Sequence, residues 1–378
     1  MKRPYSSDVR QLLVATATVL ATVLSGNILA QSSAQKPSTT KWVAPRTPDG
    51  KPDLQGNWST ETQTPLERQG NGPLILTDAE AQAIETRAQQ VEDYRDKASD
   101  PNRGAPPSGG DLKALVPPGQ LSLIEQITAG AAGGVGGYNG FWLVPGTKVI
   151  RIDGKARSSI IVDPPNGHIP ALTPEGQKIA AAAMAAQRRF GESDHPEART
   201  LSDRCLISFG SNAGPPILPN YFYNNNYTIV QTKDHVVIFT EMVHDARIVR
   251  LGASSNLPPQ LPSWFGDSIG HWEGDTLVIQ TTNIQPAQLA QSGPLWAYRG
   301  ASPSLKVTEW ISRDGPGTLL YKFRVEDPIS LTAPYSGELP FKRLDEPLYE
   351  YACHEGNHAM TNILSGARLA EREGASPR

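Results

Sequence analysis

The sequence predicts a mainly β fold: an antiparallel meander that closes into a calycin-like barrel or folds into a sandwich, with two or three peripheral α-helices and an extended N-terminal strap. Three observations predict it. From Cys205 onward, short segments rich in branched and aromatic residues recur at 227–233, 235–243, 248–251, 276–282, 305–311, 319–325 and 348–352. Turn signals separate them, among them Lys233-Asp234, Gly274-Asp275 and the run Arg313-Asp314-Gly315-Pro316-Gly317. The 34 Gly and 33 Pro favour turns and extended chain over long helices.

The elements follow in chain order. Residues 1–30 read as a cleavable signal peptide, with basic Lys2, Arg3 and Arg10, an apolar run from Leu12 to Leu24, and a cut near Ala30. The apolar run is short for a membrane span, and no later stretch is long and apolar enough. This places the protein in the periplasm or outside the cell. Residues 31–130 read as a strap, a helix and loops. Prolines 45, 48 and 52 keep the strap extended, and Leu54, Trp58 and Leu74 are its expected docking points. Thr77 with Glu80 forms a capping-box signature for a helix running to about Lys97. Residues 131–378 form the β-rich region. Strands at 141–152 and 158–163 flank the Asp153-Gly154 turn, a helix over 173–190 starts with Pro174, and a short last helix spans about 357–373.

Charge bounds the partners. Residues 1–30 contribute +2 to a formal charge of −3, so the remainder carries −5. That mild acidity argues against nucleic acid and points to a small-molecule partner. Cys205 and Cys353 are an even pair in an exported chain, which predicts a disulfide closing a long loop; two buried thiols are the alternative.

Two motifs resemble catalytic signatures. His354-Glu355-Gly356-Asn357-His358 fits the zinc-hydrolase pattern, in which two imidazoles share one helical face and the Glu activates a metal-bound water. Gly and Asn are poor interior helix residues and little chain remains for a third ligand, so the expectation is no metal and no cofactor, with zinc on His354 and His358 the alternative. Gly266-Asp267-Ser268-Ile269-Gly270 fits a nucleophile elbow, but it runs straight into a strand, the context of a hairpin.

The inward-facing charges carry the main functional expectation. Alternation along 305–311 puts Glu309 on the apolar face, and Glu241 is read as sharing a face with Val237, Phe239 and Val243. Carboxylates in a core need partners, and Arg247, Arg250 and His244 lie near in sequence. Tyr221, Tyr223, Asn224, Asn225 and Asn226 form a polar–aromatic loop suited to a pocket mouth, with a plain turn the alternative. The expectation is a partly apolar ligand held in a charged barrel pocket, with Arg247, Arg250, Tyr223 and Asn225 as contacts. The alternatives are a non-redox lyase, isomerase or hydrolase using Glu241, His244, Glu309 and His354 as acid–base groups, or a structural module of the envelope.

The strings Thr47-Pro48-Asp49-Gly50-Lys51-Pro52-Asp53-Leu54, Gly266-Asp267-Ser268-Ile269-Gly270-His271-Trp272-Glu273-Gly274-Asp275-Thr276-Leu277-Val278 and Tyr351-Ala352-Cys353-His354-Glu355-Gly356-Asn357 together resemble a large group of uncharacterised secreted proteins of Gram-negative bacteria from soil and water. The resemblance covers most of the chain after residue 30 and implies export without implying a chemistry. In that group the position of His358 is often aromatic, which implies that the second His is not a shared ligand.

Overall fold

The computed structural model describes residues 42–95, 144–187, 189–208, 214–219, 223–285 and 302–374. The expected signal peptide and the residues 141–143 expected to open a strand lie outside them. Twelve strands are present: β1 (Gly56–Ser59), β2 (Arg151–Ile152), β3 (Lys155–Ala156), β4 (Ile161–Asp163), β5 (Asn226–Gln231), β6 (His235–Thr240), β7 (Ala246–Leu251), β8 (Asp267–Glu273), β9 (Thr276–Thr282), β10 (Lys306–Gly315), β11 (Thr318–Glu326) and β12 (Tyr335–Leu344). Among the described residues three α-helices accompany them, α1 (Asp78–Arg95), α2 (Pro174–Gln187) and α3 (His358–Arg372). None is long and apolar enough to cross a membrane among the described residues.

Nine strands close into a barrel in the order β1, β5 to β12, and back to β1, while β4 pairs with the start of β12 at Ser336 and Gly337, along the edge whose far end pairs with β1. This decides between barrel and sandwich. It also revises the strap, because β1 is a stave of the wall and not a segment wrapped over it. Asn57, Trp58 and Ser59 pair with Leu344, Arg343 and Lys342 on one side, and with Thr228, Tyr227 and Asn226 on the other. Trp58 and Leu54 are fully buried and the Trp58 indole N–H donates to the Leu54 carbonyl at 3.0 Å, whereas Leu74 is only half-buried. The meander is not wholly antiparallel, since β7 and β8 run parallel. Parallel neighbours require a crossover connection, here residues 252–266.

Most strands form where the alternation predicts them, but of the strand expected at 141–152 only Arg151–Ile152 is present among the described residues, and β8 was not expected. On β11, Leu319, Tyr321, Phe323 and Val325 are buried, as period two requires. On β6 the core face is Val236, Ile238 and Thr240, so Val237 and Phe239 face out and the expected face for Glu241 was wrong by one residue. The strand expected at 348–352 is absent. A ten-residue strand, β12, lies instead at 335–344, where Gly337 and Pro340 disguise it. Inside the barrel, Tyr227 and Tyr321 both stack on Phe341, with centroids 5.9 and 5.1 Å away. The helix caps follow the sequence: Thr77 and Glu80 bond reciprocally at 2.8 and 3.2 Å, and the Thr173 hydroxyl accepts from the Gly176 amide at 3.0 Å.

Gly337 is needed for packing. Phe323 lies opposite it on β11, and a Cβ at residue 337 would fall 2.4 Å from the Phe323 ring. Gly337→Ala therefore overpacks the interior. The expected loss is about 1–3 kcal/mol in a denaturant titration, with an unchanged m-value.

Candidate functional site

The expected charges fall into two separate places. The first is inside the barrel. Arg247 on β7 and Glu309 on β10 are buried and meet in a bidentate pair, with Nη1 to Oε2 at 2.5 Å and Nη2 to Oε1 at 2.8 Å. The Tyr321 hydroxyl donates to Glu309 Oε1 at 2.7 Å and accepts from the Ile217 amide at 2.8 Å. Burial, then the adjacent Glu309 charge, push the Tyr321 hydroxyl far above its ordinary pKa. It stays a neutral donor. Every carboxylate oxygen here is occupied by a protein donor, the arrangement a buried ion pair needs to offset its desolvation.

The second place is the barrel rim where β5 begins and β6 ends. A cavity of about 680 Å³ opens there. Its walls are the 202–205 turn, Tyr223 and Asn224 ahead of β5, the segment 350–353, and Gly356, Asn357, Ala359, Met360 and Ile363 at the start of α3. The disulfide between Cys205 and Cys353, with sulfurs 2.05 Å apart, draws together segments separated by 148 residues and forms part of the wall. Asn357 completes the corner. Its side chain caps α3 by accepting from the Met360 amide at 3.3 Å, and donates to the Asp203 carbonyl at 2.8 Å. Arg368 holds the far side of α3 through the carbonyls of Ser193 and Asp194.

Glu241 lies behind this wall. It is only 2% exposed. Its carboxylate accepts from Asn224 Nδ2 at 2.6 Å, Asn226 Nδ2 at 3.2 Å and the Tyr349 amide at 3.2 Å. Among the described residues no cation comes within ion-pair distance of it. The following corner puts Val243 and His244 at φ 62° and 48°, a left-handed conformation that costs a branched residue about 1–3 kcal/mol. That corner brings exposed His244 to the Tyr351 carbonyl, with Nδ1 at 2.9 Å. Burial, then the neighbouring Tyr223, raise the pKa of the Tyr351 hydroxyl, and both residues line the cavity.

The remaining expected residues are dispersed. Arg250 binds Asp267 at 2.9 Å rather than Glu309. Asn225 is fully buried and braces the Val144 carbonyl at 2.9 Å. His354 is exposed in a turn, and α3 begins only at His358, after the Asn357 cap, so the two imidazoles do not share a helical face. No group of three metal-ligating side chains is present among the described residues. Ser268 lies within β8, buried and bonded to the Thr281 hydroxyl at 2.8 Å, in the hairpin context its sequence indicates. Of the expected set, Tyr223 lines the cavity and Glu241 and His244 lie next to its lining residues. The contributions of segment 350–353 and α3 were missed. The signal available was the apolar stripe Met360, Ile363, Leu364 and Ala367 on a helix that the barrel does not need. The chain matches no protein-family model, and no curated protein matches it.

Two outcomes follow. Glu309→Gln or Arg247→Met leaves a buried charge uncompensated and lowers stability by about 3–5 kcal/mol, whereas Arg247→Met with Glu309→Leu recovers most of it; chemical denaturation measures both. Asp245, beside His244, has its pKa raised to about 6, chiefly by burial, from an ordinary 3.8. A carboxyl with a raised folded pKa favours folding below about pH 4, and that contribution is lost as pH climbs to about 6. Asp245→Asn should raise the thermal midpoint at pH 7 and leave it unchanged at pH 4.

Proposed function

We propose that this is an exported protein that binds a small, partly apolar organic molecule in the cavity at the barrel rim. One observation carries the reading. The cavity's volume of about 680 Å³ falls within the range of about 300–1,000 Å³ typical of small-molecule sites, and its lining has the composition of one. Ala352, Ala359, Met360 and Ile363 supply apolar wall, while Tyr223, Asn224, Tyr351 and Asn357 supply a few oriented polar groups. Met adapts its shape to a ligand, and the disulfide holds two loops that would otherwise lose entropy on binding.

Export is part of the proposal. Its support is the basic and apolar pattern of residues 1–30, the disulfide, which suits an oxidising compartment, and the likeness to secreted bacterial proteins noted above. The interior pair of Arg247 and Glu309 has no role in binding on this reading. Both Glu309 oxygens and both Arg247 Nη groups are engaged within the pair, and Tyr321 donates to Glu309 as well.

Native mass spectrometry of the protein purified from the periplasm, compared with its denatured mass, tests this. A co-purifying organic mass is expected in the native spectrum. Ala359→Trp, which fills the cavity from an exposed position, should abolish it. An organic mass retained in that variant places the ligand elsewhere and overturns the reading.

A further inference from the structure

We propose that the ligand of the rim cavity is an organic cation, of the alkylated-ammonium class. This rests on the small-molecule reading above and names its chemistry.

The argument starts from a charge imbalance. Glu241 is buried, and all three of its described donors are neutral: two side-chain amides and one backbone N–H. Neutral donors satisfy its lone pairs but leave its charge uncompensated. A buried charge is ordinarily matched by a counter-ion. Asn224, which donates to Glu241, is itself part of the cavity wall. The cavity is therefore separated from that anion by a residue that touches both.

The lining has the same sign. Its described charged residues are Asp203 and Glu350, with no Lys, Arg or His among them. Asp203 is neutralised by Arg199 at 2.9 Å, so the net charge of the wall comes from Glu350, with Glu241 behind it. His244 is not among the lining residues, and its Nδ1 lies 2.9 Å from the Tyr351 carbonyl. Among the described lining residues an anionic ligand would meet no cationic side chain.

The aromatic groups extend the argument from charge to class. Tyr223 and Tyr351 both line the cavity. Phenol faces attract cations, and do so best where water is excluded. Apolar Ala352, Ala359, Met360 and Ile363 complete the wall. A bare metal ion or a heavily hydrated ammonium would waste that apolar surface. A cation that carries its charge on alkylated nitrogen uses both halves of the site.

The test is isothermal titration of the disulfide-intact protein with choline and benzyltrimethylammonium, each beside an uncharged probe of similar shape, 3,3-dimethylbutan-1-ol for choline and benzyl alcohol for the aromatic cation. The cations are expected to bind roughly tenfold or more tighter than the uncharged probes. Glu350→Gln, at an exposed position, and Glu241→Gln should each weaken the cations and leave the uncharged probes unchanged. Tyr351→Leu should weaken the cations most. Equal or tighter binding of the uncharged probes overturns the cation assignment while the small-molecule site stands. Cation binding unaffected by all three substitutions overturns it too. No binding by any probe, together with a native mass spectrum free of organic adduct, overturns both readings.

Discussion

A nine-stranded ring needs nine pairings, and the ninth is made by the short strand at Gly56–Ser59. An open sheet would expose two edges with unpaired N–H and C=O groups. β1 satisfies both, pairing with β5 through one side of its backbone and with β12 through the other. Trp58 anchors the seam by burying its ring completely, and guanidinium groups of Arg313 and Arg343 lie 5.2 and 5.6 Å from its centroid. The rest of the structure depends on this closure. Without it, β5 and β12 become edges, and the interior around Tyr227 and Phe341, which those strands supply, opens to water.

Closure also explains how an ion pair survives in the interior. Arg247 and Glu309 come from β7 and β10, which are not neighbours in the wall, so their contact spans the barrel and requires it to be closed. Tyr321 ties the pair to β11 and to the Ile217 amide. Four segments are thus connected by one network of charge-assisted bonds in a medium where each is strong. Such a network selects one arrangement of strands over slipped registers, because a shift of one residue would turn Glu309 or Arg247 outward and strand its partner.

The rim is built on different physics. The cavity owes its walls to a covalent cross-link, a helix cap and a strained corner rather than to apolar packing. Cys205 and Cys353 bring two loops together, Asn357 ends one and starts α3, and the left-handed residues Val243 and His244 turn the chain under the site. In the barrel interior the buried charges of Arg247 and Glu309 meet each other. The rim holds apolar surface and uncompensated charge that the fold itself does not use. That contrast, more than any motif, directs functional attention to the rim.

Most of the barrel was legible in the sequence because period two and turn residues are local signals. β5, β6, β9, β10 and β11 announce themselves in this way, as do the N-caps of α1 and α2. The inward position of Glu309 was legible for the same reason. β12 was hidden because Gly337 and Pro340 mimic a turn, although Tyr335, Leu339 and Phe341 kept the alternation. The face of Glu241 was misread because β6 ends one residue earlier, at Thr240, and period-two reasoning fails as soon as a strand ends. The sequence by itself determined a β-rich chain, a pair of cysteines able to cross-link, and an inward carboxylate. Only the tertiary structure decided that the strap is a stave, that Arg247 rather than Arg250 meets Glu309, and that the cavity lies beside the disulfide instead of inside the barrel. Those outcomes depend on contacts between residues tens to hundreds of positions apart, which ring closure sets and no local pattern encodes.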